Sequence, residues 1–136
     1  MDIKLIAGYA VITKNSEESA KFYRDDLGLP LEGEEEYLSI EHFPSSKHFG
    51  IWPLHMAAES CFGVRNWPEN IPEPISTIEY ELGGLSAVES AVCELEAKGY
   101  IFIHGAREEP WGQTVARLLS PENVLIGFSF SPWFYK

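Results

Sequence analysis

Residues 76–104 read STIEYELGGLSAVESAVCELEAKGYIFIH, and the repeat length within this stretch changes twice. From Ser76 to Leu82 the residues alternate, with Ile78, Tyr80 and Leu82 on one side and Thr77, Glu79 and Glu81 on the other. Strand side chains point to opposite faces in turn, so this is a strand with one apolar face. After Gly83-Gly84 the spacing lengthens. Val88, Ala91, Val92 and Leu95 fall at i, i+3, i+4 and i+7, the spacing of a single buried helical stripe. Ser86 with Glu89 reads as a capping box, Lys98 lies in the last turn and Gly99 stops the helix. YIFIH (100–104) then opens a run of three strand signals, continued by QTVARLL (113–119) and VLIGFSF (124–130).

The same order is written earlier in the chain. IKLIAGYAVI (3–12) is an apolar, β-branched run. Asn15 and Glu18 form a second capping box, and Gly28 ends the helix it opens. YLSIEHF (37–43) and HFGIWPL (48–54) follow as strands. RNWPENIPEPIS (65–76), with three prolines, reads as an extended connection. The expected organisation is one domain, 1–136, made of two modules, about 1–64 and 76–136, joined by a Pro-rich linker at 65–75. In each module the helix covers one face of the sheet and leaves the other to form a concavity. Ile78, Tyr80 and Leu82, with Ile126, Phe128 and Phe130, suit the helix side. Thr77, Glu79 and Glu81, with Gly127 and Ser129, are left for the concave side. Gly127 is conspicuous there, because glycine within a strand marks a bulge or a close approach.

Composition narrows the function. The chain has 136 residues, is 45% hydrophobic and carries a net charge of −11, with 21 acidic against 10 basic residues. No basic stripe exists to displace counterions, so nucleic acid is not an expected partner. No apolar run is long enough to span a membrane. MDIKLIAGYA lacks the charged leader and cleavage pattern of a secreted chain, and two cysteines, Cys61 and Cys93, suit the reducing cytoplasm. Both cysteines read as small packing residues. The acidity suits solubility and, more sharply, a field that attracts cationic small molecules.

The ordered set IAGYAVIT, Asn15, Ser19, KFYRDDLGLPL (21–31), IEYELGGLSAVESAVCELEAKGY (78–100), EPWGQ (109–113) and SPENVLIGF (120–128) resembles the vicinal-oxygen-chelate superfamily. That superfamily groups glyoxalase I, bleomycin-resistance proteins and extradiol dioxygenases. The resemblance covers nearly the whole chain. It implies an α+β fold in which two βαβββ modules form a curved-sheet cavity, commonly in a homodimer. It also implies one divalent metal held by His, Glu or Gln with open positions for a substrate's adjacent oxygens. Carried over residue by residue, the ligand positions fall at Gly8, Thr77 and Gly127. Two glycines have no side chain to ligate with, and a threonine hydroxyl is a poor ligand. No metal and no other cofactor is therefore expected, and the two glycines are expected to leave volume where an ion would sit. Glu79 is the nearby carboxylate of correct strand parity.

The residues expected to line the cavity are Trp52, Glu79, Trp111 and Arg117. Trp52 offers a flat stacking wall, and Trp111 a ring presented from the turn EPWGQ. Arg117 sits within an apolar strand and needs an anionic partner, either Glu79 or Glu81 or a ligand. His42, His48, His55 and His104 show no ligand-pair spacing. They read as ordinary strand or surface residues, with His48 and His55, flanking GIWPL, as pocket-edge candidates. Two functions remain open. One is a metal-free protein that binds and sequesters a small molecule of cationic or aromatic character. The other is a lyase, isomerase or dioxygenase with a non-standard metal site or none, in which Glu79 is the acid–base candidate.

Overall fold

The computed structural model describes residues 1–44 and 46–136. The chain forms two compact units, Gly8–Thr77 on one side and Met1–Ala7 with Ile78–Lys136 on the other. The fold is α+β, as expected, and in chain order the second repeat is strand, helix and three strands.

In the unit Gly8–Thr77, strand β1 (Leu5–Thr13) pairs in parallel with β3 (Phe49–Pro53), which pairs antiparallel with β2 (Leu38–Ile40). Helix α1 (Ser16–Ala20) begins where expected. The Asn15 side chain accepts the Glu18 amide at 3.0 Å, and Thr13 Oγ1 takes the Asn15 amide that a complete capping box would give to Glu18. The helix widens into a π-turn over Lys21–Asp26, where the Leu27 amide reaches back to the Phe22 carbonyl, and Gly28 closes it at φ 77°. Ala20, Leu31, Leu38, Ile40 and Ile51 form this unit's core, with Tyr23 and Phe49 against it.

One element was not anticipated. Helix α2 (Leu54–Phe62) follows β3 directly and stands where a further strand would complete a first βαβββ order. Its start carries Pro53 rather than a Ser, Thr, Asp or Asn cap, so the sequence gives no entry signal. Ala57, Ala58 and Cys61 are its buried face, and Gly63 at φ 77° is its end. Beyond it, Trp67 is buried against Phe62, and its indole N–H donates to the carbonyls of Ile71 and Pro72.

In the other unit the strands are hydrogen-bonded in the order β4 (Ser76–Glu81), β7 (Leu125–Phe130), β6 (Thr114–Leu119) and β5 (His104–Glu108). Helix α3 (Leu85–Ala97) lays Val88 and Ala91 on a core of Leu82, Ala116, Leu118 and Phe128, with Tyr80, Val92, Leu95, Ile126 and Phe130 packed around it. The helix-side assignment is therefore correct for Tyr80, Leu82, Ile126, Phe128 and Phe130. Two details differ. Helix α3 starts from Gly84, with no side-chain cap, so Ser86 lies inside the first turn and the expected capping box does not form. Cys93 is exposed rather than packed.

The strand expected at YIFIH (100–104) is displaced, whereas β6 and β7 lie where expected. The Gly99 amide bonds to Glu96 O and the Tyr100 amide to Leu95 O, with Gly99 at φ 96°. That left-handed closure uses Tyr100 to finish the helix, so β5 begins only at His104. Across β6 and β7 the register pairs Val115 with Ser129, Arg117 with Gly127 and Leu119 with Leu125 on one face. The tight turn between them has Asn123 at φ 67°, with Ser120 Oγ accepting the Val124 amide.

Candidate functional site

The polar face of β4, β7, β6 and β5 carries the chemistry of this unit. A Cβ at Gly127 would lie 3.1 Å from Glu79 Cγ and 3.1 Å from Val115 Cγ2. Gly127 thus makes room for the Glu79 stem and for Val115. In the other unit a Cβ at Gly8 would come within 3.3 Å of His48 Cβ and Cδ2. The expectation that these glycines leave free volume is therefore overturned at both positions, because neighbouring side chains already fill it. Thr77 is buried. Among the described residues, no three His, Cys, Asp or Glu side chains are grouped to hold a metal ion. The three carried-over positions do not fit the metal that the resemblance implies.

Glu79 is joined to Trp111 through a residue that the sequence reading passed over. Gln113 is 4% exposed. Its amide nitrogen donates to Glu79 Oε1 at 2.9 Å and to Ser131 Oγ at 3.3 Å, while its oxygen accepts the Trp111 indole N–H at 3.0 Å. The turn itself is closed by the Glu109 amide on Gln113 O and the Gly112 amide on Glu109 O, with Gly112 at φ 93°. A half-exposed indole and a half-buried carboxylate are thereby held in one fixed relation by a buried amide.

Arg117 is fully buried beneath this face. Its Nη1 donates to Glu109 Oε1 at 2.6 Å and lies 3.2 Å from His104 Nε2. Glu109 is 5% exposed and also meets Arg107 at 3.5 Å. Glu79 and Glu81, the carboxylates first considered for Arg117, are engaged elsewhere. Glu79 accepts from Gln113. Glu81, with no exposed surface, accepts the amides of Gly83 and Ser131 and the Tyr135 hydroxyl. Burial, then the hydrogen bond to Glu81 and its charge, raise the Tyr135 phenol above its ordinary range. The Glu109 partnership had one usable signal: a hairpin turning on Trp111-Gly112 folds residue 109 back along the strand that carries Arg117.

His104 shows what the buried cation does to its neighbour. A guanidinium only donates, so His104 Nε2 accepts from Arg117 and Nδ1–H donates to Gly105 O at 2.8 Å. Burial first, opposed by the Gly105 bond and helped by the charges of Arg117 and Arg107, holds His104 down to about 4 from 6.5. The unfolded imidazole therefore binds its proton first as pH falls. The stabilisation from neutral His104 is complete above pH 6.5 and is lost progressively toward about pH 4. Urea midpoints at pH 7 and 5 check this: the drop in the native chain should shrink in His104→Gln.

Trp52 belongs to the other unit. It lies on β3, 6% exposed, opposite Ile12 of β1. Of the four residues expected to line a site, Glu79, Trp111 and Arg117 share one unit, and the first two are linked through Gln113.

No family model and no curated protein sequence matches the chain. Solved structures do. A glyoxalase/bleomycin resistance protein/dioxygenase superfamily member from Vibrio splendidus 12B01 aligns over 93% of this chain and all of its own, with a TM-score of 0.62 and 11% identity. The chain has the vicinal-oxygen-chelate fold. Methylmalonyl-CoA epimerase from Streptomyces coelicolor, in complex with 2-nitronate-propionyl-CoA, aligns over 96% of this chain and 99% of its own, with a TM-score of 0.58 and 18% identity. A structure described as an NAD-dependent benzaldehyde dehydrogenase from Legionella pneumophila scores 0.58 at 12% identity over 90% and 96% of the two chains. At such identities the vicinal-oxygen-chelate likeness is one of fold. Neighbours with such different descriptions illustrate that activity has to be argued from the site.

Proposed function

We propose that this chain is a glyoxalase/bleomycin-resistance-like small-molecule-binding protein that sequesters a cationic or aromatic ligand without a divalent metal. The observation that carries this reading is the Trp111–Gln113–Glu79 chain. An indole face attracts cations and flat rings, a carboxylate adds Coulomb attraction, and pre-ordering by Gln113 removes part of the entropy cost of binding. The net charge of −11 supports the same ligand class by enriching cations near the surface. In this reading Glu79 and Trp111 touch the ligand, and Arg117, being fully buried, supports the strand beneath them. Trp52 remains a stacking candidate, and a cytoplasmic homodimer is the assembly expected.

A second reading has one observation in its favour: an epimerase shares the fold. There the chain would be a lyase, isomerase or dioxygenase of the same superfamily, with Glu79 as its acid–base group.

Thermal-shift screening against cationic aromatic compounds, followed by tryptophan fluorescence titration, tests the binding reading. Trp111→Ala and Glu79→Gln are each expected to weaken the best ligand about five- to thirtyfold, in line with roughly 1–2 kcal/mol for a cation over an aromatic face. Unchanged affinity in Trp52→Ala, Glu79→Ala, Trp111→Ala and Arg117→Ala alike would remove the proposed site.

A further inference from the structure

The unit Gly8–Thr77 holds a second constellation that the binding surface does not use. Tyr37 Oη lies 2.6 Å from His48 Nε2, and His48 Nδ1 lies 2.6 Å from Glu41 Oε2. The Glu41 carboxylate, 48% exposed, only accepts, so Nδ1 carries the ring proton. Nε2 is then the acceptor, and the phenol donates to it. Carboxylate, imidazole and hydroxyl are thus in series, the order in which a base is oriented and its conjugate acid stabilised.

The backbone is carved for this series. A Cβ on Gly50 would lie 2.5 Å from Tyr37 Oη, 2.9 Å from its Cζ and 3.2 Å from His48 Nε2. A Cβ on Gly8 would crowd the imidazole at 3.3 Å. These glycines sit on the paired strands β1 and β3, where the register sets Ala10 beside Gly50 and Tyr9 beside Phe49. The phenol and imidazole rings lie nearly parallel, 20° apart, over that glycine floor. The His48 side chain keeps 26% of its surface exposed and Tyr37 is half-buried, so the series borders solvent.

We infer that Tyr37, His48 and Glu41 form a proton relay that accepts a proton from a weak carbon acid, a compound whose C–H is acidified by an adjacent carbonyl or ring heteroatom. Oxygen acids exchange protons with water unaided, whereas a carbon acid needs a positioned base. In the step, the substrate C–H bond breaks and its proton passes to Tyr37 Oη. The proton of Tyr37 passes to His48 Nε2, and the electron pair stays on the substrate. The phenol is neutral at the end, the imidazolium is paired with Glu41, and no electrons are exchanged. Tyr37 is the catalytic residue, while His48 and Glu41 act through it.

Nitrobenzisoxazole is a suitable probe, because loss of its ring proton breaks the N–O bond and releases a coloured cyanonitrophenolate. The full chain should convert it faster than an equal concentration of free imidazole. Tyr37→Phe and His48→Gln should each lower the rate by about tenfold or more, and Gly50→Ala, which drives a methyl onto the phenol, should do the same. Nitrogen-resolved NMR of the His48 ring should show the Nδ1–H form in the native chain and its loss in Glu41→Ala, a readout that needs no substrate. A rate no greater than free imidazole, a Tyr37→Phe rate equal to that of the native chain, or an Nε2–H ring in the native chain would overturn the relay. Cys93→Ser, at an exposed position of helix α3 that neither the relay nor the binding surface uses, should leave the probe rate unchanged.

Discussion

Glu109→Ala is expected to cost about 3–5 kcal/mol of stability, the penalty of leaving a guanidinium buried without its carboxylate. For a chain of this length that is roughly 10–20 °C in Tm. Arg117 has no exposed surface, Glu109 has 5%, and their contact is 2.6 Å, so solvent cannot replace the lost partner. Glu109→Gln keeps the shape and an acceptor oxygen, and its loss should be smaller. The double change Glu109→Leu with Arg117→Met should recover most of the loss, because a buried ion pair gives little net advantage over apolar residues of similar volume. Thermal and urea unfolding of the four chains checks this. A single-variant loss below about 1 kcal/mol, the range of exposed pairs, would contradict the account of the buried pair.

Glu81→Ala is the second large effect. This carboxylate accepts the backbone amides of Gly83 and Ser131 and the Tyr135 hydroxyl, and it ties the 3-10 turn Pro132–Tyr135 to the end of β4. Removing it leaves the Ser131 amide buried without this acceptor and withdraws charge-assisted bonds from the other two. Each buried orphan costs about 1–3 kcal/mol, so a loss on the order of 3 kcal/mol is expected. The C-terminal turn should also detach, which early proteolysis near Trp133 and a red-shifted tryptophan emission would report. Loss of Glu81 should bring the Tyr135 phenol back toward its ordinary range, because the bond and the charge that now add to burial in raising it are both gone.

How much was legible follows from what each feature depends on. The faces of β4 and β7 were readable, because alternation is a local period that tertiary contacts preserved: Tyr80, Leu82, Ile126, Phe128 and Phe130 meet helix α3. The α3 stripe was readable for the same reason. The closure of that helix was half readable. Gly99 announced the stop, but only the hydrogen bond from Tyr100 to Leu95 revealed that the next strand would start later. Helix α2 gave no cap at its entry.

Side-chain partnerships were the hardest to read. Glu109 meets Arg117, and Gln113 meets Glu79, only after a turn fixes which residues of β5 and β6 oppose each other. Gly127 was recognised as a place where something comes close and Gly8 only as a vacated ligand position, and the occupants, Glu79 with Val115 and then His48, come from other strands and a connecting segment. His48 itself looked ordinary, because its partners Tyr37 and Glu41 lie across the β2–β3 turn rather than at a ligand spacing.

The central claim is that this chain uses the vicinal-oxygen-chelate fold without the metal that its carried-over positions, Gly8, Thr77 and Gly127, would have to hold. Elemental analysis of the purified, dialysed full chain tests it most directly. The account predicts no stoichiometric manganese, iron, nickel or zinc, and ligand binding that survives chelator treatment. One tightly held divalent ion per chain, lost together with binding when a chelator removes it, would contradict the account.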